Sequence, residues 1–393
     1  MPFDAAKLAA DTEAFCQDVR PAEELAYAER TFNDQVVPLA KKHDLLGMNI
    51  AAEYGGRGAD NVSYFAALAR IGREGTTVRT FFSGHLSIGA YPIQTWGSDA
   101  LKRKYLPAAA RGEKILAFGL TEPDAGSNPR EMTTTYEKKG DRYVLNGVKY
   151  LISNGGIADA IVVFGYPAGA VGTGRISAFV LDTDQPGFEK ESFAANAKMG
   201  MPTSNTAMFE MREAVVPAEN LLGAEGDGFR VAMGTLVSGR LSVAAGCLGV
   251  IEDCLAEVIE YAKTRKQHGK EIARHQLVQE HIAMIEMDRV ASESLVVRAA
   301  QMKDRSAAAP ADKELARQAD LLAAQAKFFT TNAAWDAADR AVQVFGGRGW
   351  STLYRPGRHQ TDVRVCRIYE GTDEILKLKI AAAVLGKEWE AFK

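Results

Sequence analysis

The sequence predicts an α+β chain of three domains: an N-terminal helical domain, a middle β-barrel-like domain and a C-terminal four-helix bundle. Its 393 residues are enough for two or three domains of ordinary size. Helical periodicity gives way to short β-type runs near residue 116, and long helical patterns return at Gly228. These changes place the domains at 1–115, 116–227 and 228–393.

The N-terminal segment repeats apolar residues at helical spacing. Phe65, Leu68, Ala69 and Gly72 fall on one face of a predicted helix, because residues three and four apart share a face. The glycine-rich segment 53–58 is typical of a turn and interrupts this pattern. We therefore expect several helices joined by turns.

The middle segment alternates β-type runs with Gly, Pro, Asn and Asp turns. The runs cover 142–149, 160–165 and 176–181. Asn146 and Gly147 both tolerate positive φ, so this pair predicts a two-residue hairpin turn.

The C-terminal segment has the longest helical patterns and few helix breakers. Helices are predicted over 248–263, 276–305 and 312–345. Long helices joined by short linkers favour a bundle.

Composition argues against several functional classes. With 47 Lys+Arg against 50 Asp+Glu and a net charge of -3, the chain lacks the basic excess of a duplex nucleic-acid binder. No apolar run approaches the roughly 20 residues that span a bilayer. The N-terminus has no apolar segment behind a basic start, so we expect no signal peptide and a cytoplasmic protein.

Cysteine and histidine patterns favour neither a disulfide framework nor a metal centre. The four cysteines form no C-x-x-C pair, and the six histidines form no H-E-x-x-H motif. No G-x-G-x-x-G follows a strand, which argues against a nicotinamide-type Rossmann domain. If the protein is an enzyme with demanding chemistry, an organic cofactor is expected to supply it.

Five segments carry residues suited to binding or catalysis, and each also has a purely structural interpretation. The first is 118–129, where Thr121, a proline-set turn and Gly126–Ser127 place backbone N–H groups and two hydroxyls on one loop. Such a loop can bind an anion or the polar edge of a ring, or it can be a tight turn into a strand. The second is 149–156, where Ser153 precedes a double-glycine turn, and by itself it indicates a strand end.

The third and fourth segments lie in the C-terminal domain. Segment 265–276 clusters cationic side chains after a long helix. A guanidinium there can bind pyrophosphate, or the charges can complement the helix C-terminus. Segment 343–350 has glycines at 346, 347 and 349, which let a ligand approach closely, although ending a helix needs only one of them.

The fifth segment, 367–375, contains the best candidate for a catalytic base. Glu370 lies between Tyr369 and a glycine, just before a helix that Thr372 can cap. Partial removal from water beside an aromatic ring raises the pKa of a carboxyl group and makes it a usable base. A lone glutamate in a turn is, by contrast, normally solvent-facing.

In this order, the five segments resemble the acyl-CoA dehydrogenase family, and the resemblance runs along nearly the whole chain. The most specific matches are 121–127 and 369–372. Earlier matching motifs lie at 45–48, 53–56, 97–98 and 104–107. A single assembly thus explains all five segments.

The resemblance implies an FAD between the middle domain and the C-terminal bundle, with its adenine end reaching a neighbouring subunit of a homotetramer. The positions that match flavin-ring contacts are Phe118, Leu120, Thr121, Ile152 and Ser153. Those that match phosphate and adenine contacts are Gly126, Ser127, Thr372 and Glu374. Those that match contacts to a partner subunit's cofactor are Arg265, His268, Gln276, Gln343 and Gly347.

The resemblance also implies α,β-dehydrogenation of an acyl-CoA thioester to the enoyl-CoA. Glu370 matches the base that removes the α-proton, while the β-hydrogen leaves as hydride to flavin N5. The Glu370 backbone N–H and a flavin ribityl hydroxyl are expected to polarise the thioester carbonyl. An electron-transfer flavoprotein is the expected electron acceptor. Further substrate-binding positions are Ser127, Arg240, Tyr369 and Gly371.

Three positions depart from the family pattern. Asn128 stands where aspartate is usual and removes a charge. Leu151 stands where tryptophan is common and removes an aromatic wall beside the flavin. His268 stands where phenylalanine is usual. Details of cofactor binding are therefore expected to differ, whereas the base is retained.

Arg79 and Ser83 give a clue to the substrate, because the glutaryl-CoA dehydrogenase subgroup has an arginine and a serine here that face the distal carboxylate. An arginine in an acyl pocket favours a dicarboxylic or other polar-tailed acyl group over a plain alkyl chain. Relatives acting on other acyl groups, including acyl-carrier-protein thioesters, also have an arginine at this position. A structural alternative pairs Arg79 with Glu74 at a helix edge.

Other functions remain open at this point. A flavin oxidase or monooxygenase on the same scaffold would let O₂ reoxidise the cofactor, although monooxygenase relatives generally lack the glutamate. A non-catalytic acyl-CoA-binding relative would be expected to have lost Glu370.

Overall fold

The N-terminal part of the chain is helical in the structure, a computed structural model that describes residues 3–389 and 391. Its helices are α1 (Ala5–Glu29), α2 (Val36–Lys42), α3 (Asn61–Gly72), α4 (Thr76–Phe82), α5 (Tyr91–Trp96) and α6 (Asp99–Ala110). A π-helix, Ser83–Ala90, joins α4 to α5. Asp4, Asp60 and Ser98 cap the first turns of α1, α3 and α6, since each side chain accepts a backbone N–H.

The middle part of the chain is a sheet. Its strands are β1 (Leu116–Gly119), β2 (Thr135–Lys139), β3 (Arg142–Ser153), β4 (Ala160–Pro167), β5 (Ser177–Asp182), β6 (Phe188–Ser192), β7 (Thr206–Pro217) and β8 (Leu221–Leu222). They follow the order β6-β7-β3-β2-β4-β5-β8, and β1 pairs in parallel with β4. β4 and β5 are almost wholly buried, which explains their continuous apolar runs.

The predicted hairpin turn at Asn146–Gly147 is wrong. β3 runs through both residues, and the two-residue turn is Gly140–Asp141, between β2 and β3. Gly147 lies instead at a register shift between β3 and β7, with a φ of 148°. A Cβ atom there would lie 2.8 Å from Thr134 Cα. The glycine therefore serves a bulge and a close approach rather than a turn.

The C-terminal part returns to helices. They are α7 (Gly228–Thr264), α8 (Gln276–Ala308), α9 (Lys313–Phe345), α10 (Arg355–Asp362) and α11 (Asp373–Leu385), with a small hairpin of β9 (Lys266–Gln267) and β10 (Lys270–Glu271) after α7. α7, α8 and α9 pack against one another, and α11 packs on α9. No helix in the described residues combines the length and apolar character that crossing a membrane requires.

Glycines bring the N-terminal helices close to α7. A Cβ atom at Gly72 on α3 would lie 2.8 Å from Gly246 Cα on α7. A Cβ atom at Gly246 would in turn lie 2.5 Å from Arg79 Nε. These contacts hold α4, and with it Arg79, against the middle of α7.

Candidate active site

Glu370 lies in a short loop between a 3₁₀ helix, Val363–Arg367, and α11. The loop is left-handed, with φ of 57° at Glu370 and 97° at Gly371. This conformation costs a non-glycine residue roughly 1–2 kcal/mol, and such strain clusters at functional sites. Thr372 ends the loop as the N-cap of α11, where its hydroxyl accepts a hydrogen bond from Ile375 N at 3.3 Å.

Cations on the two long helices hold the backbone of this loop. Arg240 Nε on α7 donates to the Glu370 carbonyl at 3.2 Å. Lys327 Nζ on α9, which is fully buried, donates to the Gly371 carbonyl at 2.7 Å. Arg240 is among the site residues predicted from the sequence, whereas Lys327 is not, because a lysine inside a long helical pattern carries no signal of its own.

The carboxyl group of Glu370, unlike its backbone, is free. Its Oε2 is buried and has no hydrogen-bond partner within the described residues. A Cβ atom at Gly239 on α7 would lie 2.6 Å from Glu370 Cδ. Burial raises the pKa of Glu370 to about 7, against the opposing positive charges of Arg240, Arg79 and Lys327. A buried carboxyl with this pKa and a free oxygen can accept a proton from a ligand.

Arg79 connects the N-terminal domain to the loop that carries Glu370. Its side chain is 1% exposed, and its Nη2 donates to the Tyr369 hydroxyl at 2.5 Å. The alternative pairing with Glu74 is wrong, since that carboxylate accepts from Arg20 Nε at 2.6 Å and from a second arginine on α3. Ser83 is buried one turn after Arg79 but forms no hydrogen bond with it in the described part of the chain.

The positions predicted to contact a flavin ring lie on two neighbouring segments of the middle domain: Phe118, Leu120 and Thr121 at the end of β1, and Ile152 and Ser153 at the end of β3. Tyr150 N donates to Thr121 O at 2.9 Å and ties the two segments together. Phe118, Leu120 and Ile152 are buried, whereas Thr121 and Ser153 are partly exposed. The ends of β1 and β3 therefore place two partly exposed hydroxyl groups beside buried apolar side chains.

Leu151 stands out on this edge. It is 55% exposed, has a φ of 59° and lies at a register shift between β3 and β7. Asn154 is also left-handed, with a φ of 61°, and its Nδ2 donates to Phe81 O at 2.9 Å. An exposed leucine in a strained bulge is typical of a surface that a ligand covers.

The remaining phosphate and adenine positions are accessible. Gly126 and Ser127 are exposed, and a Cβ atom at Gly126 would have no neighbour within 4 Å. Asn128 Oδ1 accepts from Arg130 N at 3.3 Å, so the asparagine keeps a turn-capping role without the charge of an aspartate. Glu374 is exposed in the first turn of α11.

A buried ion pair that the sequence does not predict stabilises the loop after β1. Lys149 Nζ contacts Glu122 Oε1 at 2.8 Å, and both side chains are almost completely buried. The carboxylate also accepts from the backbone N–H groups of Thr133 and Thr134 at 2.6 and 3.1 Å. Burial alone would raise the pKa of Glu122, but Lys149 and these hydrogen bonds lower it to about 2. The pair therefore fixes the loop that carries Thr121.

Lys149→Met is expected to destabilise the protein by about 3–5 kcal/mol, because it leaves a buried carboxylate unpaired. Urea unfolding followed by circular dichroism measures this change. The double variant Glu122→Gln/Lys149→Met removes both charges and is expected to regain part of the loss. A single variant as stable as the wild type would contradict the bracing role.

The five positions predicted to hold a partner's cofactor lie at the far end of the bundle: Arg265, His268, Gln276, Gln343 and Gly347, all of them exposed. Tyr261 near the end of α7 stacks on Phe345 at the end of α9, with 4.1 Å between ring centroids, so these positions share one end. Along α7, Arg265 is about 37 Å from Arg240 at 1.5 Å per residue. The structure therefore does not bring this set to the chain's own Glu370.

The structure thus combines helical, sheet and helical parts with a partly buried glutamate whose Oε2 is buried and unpartnered in the described residues, an arrangement suited to acid–base chemistry. The chain matches three family models: acyl-CoA dehydrogenase N-terminal domain over residues 4–113, middle domain over 117–214 and C-terminal domain over 226–385. It belongs to the acyl-CoA dehydrogenase family, whose members are oxidoreductases.

Several relatives are similar along most of the chain. An acyl-CoA dehydrogenase of Bacillus subtilis (strain 168) is 38% identical over 94% of each chain. A glutaryl-CoA dehydrogenase of Desulfococcus multivorans is 36% identical over 86% of this chain and 85% of the relative. The caffeyl-CoA reductase-Etf complex subunit CarC of Acetobacterium woodii is 34% identical over 91% of both.

Solved structures share the fold. Butyryl-CoA dehydrogenase from Megasphaera elsdenii has a TM-score of 0.91 at 33% identity, over 98% of this chain and all of the other. A glutaryl-CoA dehydrogenase from Mycobacterium smegmatis in complex with FADH2 has a TM-score of 0.88 at 28% identity, over 100% of this chain and 97% of the other.

FAD is the cofactor of this family, and the residues of this chain fit it. The exposed, left-handed Leu151 and the hydroxyls of Thr121 and Ser153 offer a flat ring both an apolar surface and polar contacts. Gly126 and Gly347 leave open space, since a Cβ atom at either would have no neighbour within 4 Å.

Proposed function

We propose that the protein oxidises the α,β-bond of an acyl-CoA thioester, with Glu370 as the base. The observation that carries this proposal is the buried Glu370 Oε2, which lacks any partner among residues 3–389 and 391. A bound FAD would supply the hydride acceptor. The candidate residues for holding it are those on the β1 and β3 edge, with Thr372 and Glu374 on the bundle side.

Glu370 serves the reaction through both its side chain and its backbone. The α-proton of a thioester is too weakly acidic for a carboxylate unless the carbonyl is polarised. The Glu370 N–H has no acceptor within the described residues and can donate to the thioester carbonyl oxygen. A donor of this kind contributes about 3–4 kcal/mol in a dry site. Arg240 and Lys327 keep the N–H direction fixed by holding the adjacent carbonyls.

The pH dependence of turnover follows from the raised pKa of Glu370. Because the base must be ionised, kcat/KM is expected to rise with pH through the pKa of about 7. At pH 6, about one tenth of the free enzyme carries the ionised base. Initial rates across a pH series, with an acyl group that does not itself titrate, measure this rise in kcat/KM. A kcat/KM that does not change with pH below 7 would show that Glu370 is not the base.

We further propose that the substrate carries a distal carboxylate or a similar polar group. Arg79 is buried, its Nε has no hydrogen-bond partner, and no carboxylate of the described residues pairs with it. A buried guanidinium without a counter-ion is costly, and a carboxylate on the acyl tail would satisfy it bidentately. Its contact with Tyr369 places this charge one residue before the base.

An anaerobic titration of the flavin-loaded protein with glutaryl-CoA, butyryl-CoA and isobutyryl-CoA tests both proposals. Bleaching of the flavin absorbance by any of them supports dehydrogenation, and preference for glutaryl-CoA supports the polar tail. Arg79→Met is expected to lower kcat/KM for glutaryl-CoA by about 100-fold, with less effect on butyryl-CoA. Arg79→Lys retains the positive charge and is expected to recover part of the lost kcat/KM for glutaryl-CoA. A strong preference for the uncharged acyl groups would end the dicarboxylate proposal.

We propose an electron-transfer flavoprotein as the electron acceptor, supported by the Etf complex named for the relative from A. woodii. We also propose a homotetramer in which Arg265, His268, Gln276, Gln343 and Gly347 serve a partner's cofactor. Large apolar side chains near these positions support such an interface, since Leu277 is 79% and Trp350 86% exposed.

A further inference from the structure

A chain of hydrogen bonds leads from Arg79 to a buried thiol beside the loop that carries Glu370. Arg79 Nη2 donates to the Tyr369 hydroxyl at 2.5 Å, and a guanidinium only donates, so the tyrosine keeps its own proton for another acceptor. Cys366 Sγ lies 3.2 Å from the same hydroxyl and accepts that proton. The donors therefore run in one direction, from the guanidinium through the tyrosine to the sulfur.

Titratable and charged groups face the Cys366 thiol from four helices: Arg79 on α4, Cys247 on α7, Lys327 on α9 and Asp362 on α10. The hydrogen bond from the Cys247 thiol lowers the pKa of Cys366, and the two cations act in the same direction against the effect of burial. Asp362 is the acid among these groups, and burial raises its pKa to about 7. The surroundings of Cys366 therefore favour a negative charge on its sulfur.

The cations Arg79 and Lys327 have no carboxylate partner among residues 3–389 and 391, and both are buried. The acids near them are engaged elsewhere. Asp320 on α9 pairs with an arginine of α7 at 3.0 Å, and Asp373 on α11 pairs with an arginine of the preceding 3₁₀ helix at 2.7 Å. Buried charge is costly without an opposite charge. The Glu370 carboxyl and the neighbouring thiol are the acidic groups left to balance the two cations.

We propose that Cys366 is a thiolate that offsets the charge of Arg79 in the free enzyme and takes up one proton when the carboxylate of an acyl tail binds to Arg79. This inference rests on the proposed polar-tailed substrate and names the group with which that tail competes. The tail brings one negative charge, and the thiolate loses one by accepting a proton from solvent. The net charge around the guanidinium is therefore the same before and after binding.

The contacts of Arg79 explain why a carboxylate displaces the thiolate. The thiolate acts on the guanidinium only through the Tyr369 hydroxyl, and the buried Nε of Arg79 has no partner in the described part of the chain. A carboxylate accepts two N–H groups of a guanidinium at once, which is the stronger arrangement. Cys366 thus influences which acyl tails bind without contacting the reacting atoms.

Ultraviolet absorbance of the flavin-loaded, substrate-free protein tests the thiolate directly, because a thiolate absorbs in the far ultraviolet where a thiol does not. Since a lowered pKa keeps the thiolate at higher pH, we expect one thiolate per chain at about pH 7.5 and its loss on acidification to about pH 5. Cys366→Ser should lack this change. Cys254→Ser is the matched control and should retain it, because burial raises the pKa of the Cys254 thiol on α7. A wild-type absorbance without this change would overturn the proposal.

The pH dependence of binding tests the proton uptake. Glu370→Gln is the background, because it slows turnover and removes the titration of the base, and the change in flavin absorbance measures Kd. With one proton taken up, the Kd for glutaryl-CoA should rise about tenfold per pH unit above the pKa of the thiol. The Kd for butyryl-CoA, which has the same CoA but no tail carboxylate, should not show this rise.

Adding Cys366→Ser to this background should abolish the rise, whereas adding Cys254→Ser should preserve it. The same pH dependence for glutaryl-CoA and butyryl-CoA, or a rise that survives Cys366→Ser, would overturn the proposal. Glutaryl-CoA that binds no better than butyryl-CoA at any pH would contradict the proposed polar tail and, with it, the proton uptake. The absorbance of the substrate-free protein is independent of that result, so the two failures are distinguishable.

Discussion

Glu370→Gln is expected to lower turnover by about 10²- to 10⁴-fold, the range that a positioned general base contributes. Glutamine keeps the size of the side chain but does not accept a proton at neutral pH. The backbone contacts of the loop, from Arg240 to the Glu370 carbonyl and from Lys327 to the Gly371 carbonyl, do not depend on the carboxylate. The variant should therefore fold, bind FAD and bind the thioester. Steady-state rates measure the loss of turnover, and the flavin spectrum measures the binding of FAD and of the thioester.

Glu252→Gln provides a matched control for the loss of a partly buried glutamate. Glu252 lies on α7, and burial raises its pKa as it does for Glu370, but it lies outside the loop that carries Glu370. Its replacement should leave turnover within about twofold. Near-full activity of Glu370→Gln would show that another group takes the proton.

Gly239→Ala is expected to reduce turnover nearly as much as Glu370→Gln does, although it leaves Glu370 itself unchanged. An added methyl group would lie 2.6 Å from Glu370 Cδ and 2.7 Å from Oε1, which is too close for any rotamer of the carboxyl to stay in place. The carboxylate is the mobile end of a side chain, so it should move and the fold should survive. Because small displacements of a reacting group cost about 10²-fold in rate, kcat should fall by that order.

Ser238→Ala, one residue earlier on α7, controls for a change in this helix. Its hydroxyl is buried and has no hydrogen-bond partner within the described residues, so its loss should leave kcat within about twofold. The thermal unfolding midpoint of Gly239→Ala should match that of the control, since alanine favours a helix more than glycine does. Wild-type kcat in Gly239→Ala would mean that the carboxyl group does not lie against α7 during turnover.

The parts of the site that the sequence predicts are those encoded within one short segment. Tyr369, Glu370 and Thr372 are adjacent in sequence, and the glycine after the base together with the capping threonine already indicates a strained turn before a helix. The helices predicted over 276–305 and 312–345 match the observed α8 and α9 within a few residues at each end, whereas the helix predicted over 248–263 is wrong at its start, because α7 begins at Gly228. The periodic patterns of α8 and α9 extend over many turns, as in 312–345 against the observed Lys313–Phe345.

The parts that the sequence does not predict depend on contacts between distant segments. Lys149 and Glu122 are each ordinary residues of a strand and a turn, and only the fold buries them against each other. Arg79 and Tyr369 are 290 residues apart, so the sequence did not predict their contact and left open a pairing of Arg79 with nearby Glu74 that does not occur. The hairpin turn predicted at Gly147 is wrong because a glycine needed for a bulge and one needed for a hairpin turn have the same local sequence pattern.

The most direct test of Glu370 is to separate proton removal from hydride transfer. An acyl-CoA with sulfur in place of the β-carbon has α-protons but no β-hydrogen to lose. Its α-protons should exchange into D₂O in the presence of the flavin-loaded wild type, at a rate that rises with pH through about 7. Glu370→Gln should slow this exchange at least 100-fold. Exchange at equal rates in the two proteins would contradict the assignment of Glu370 as the base.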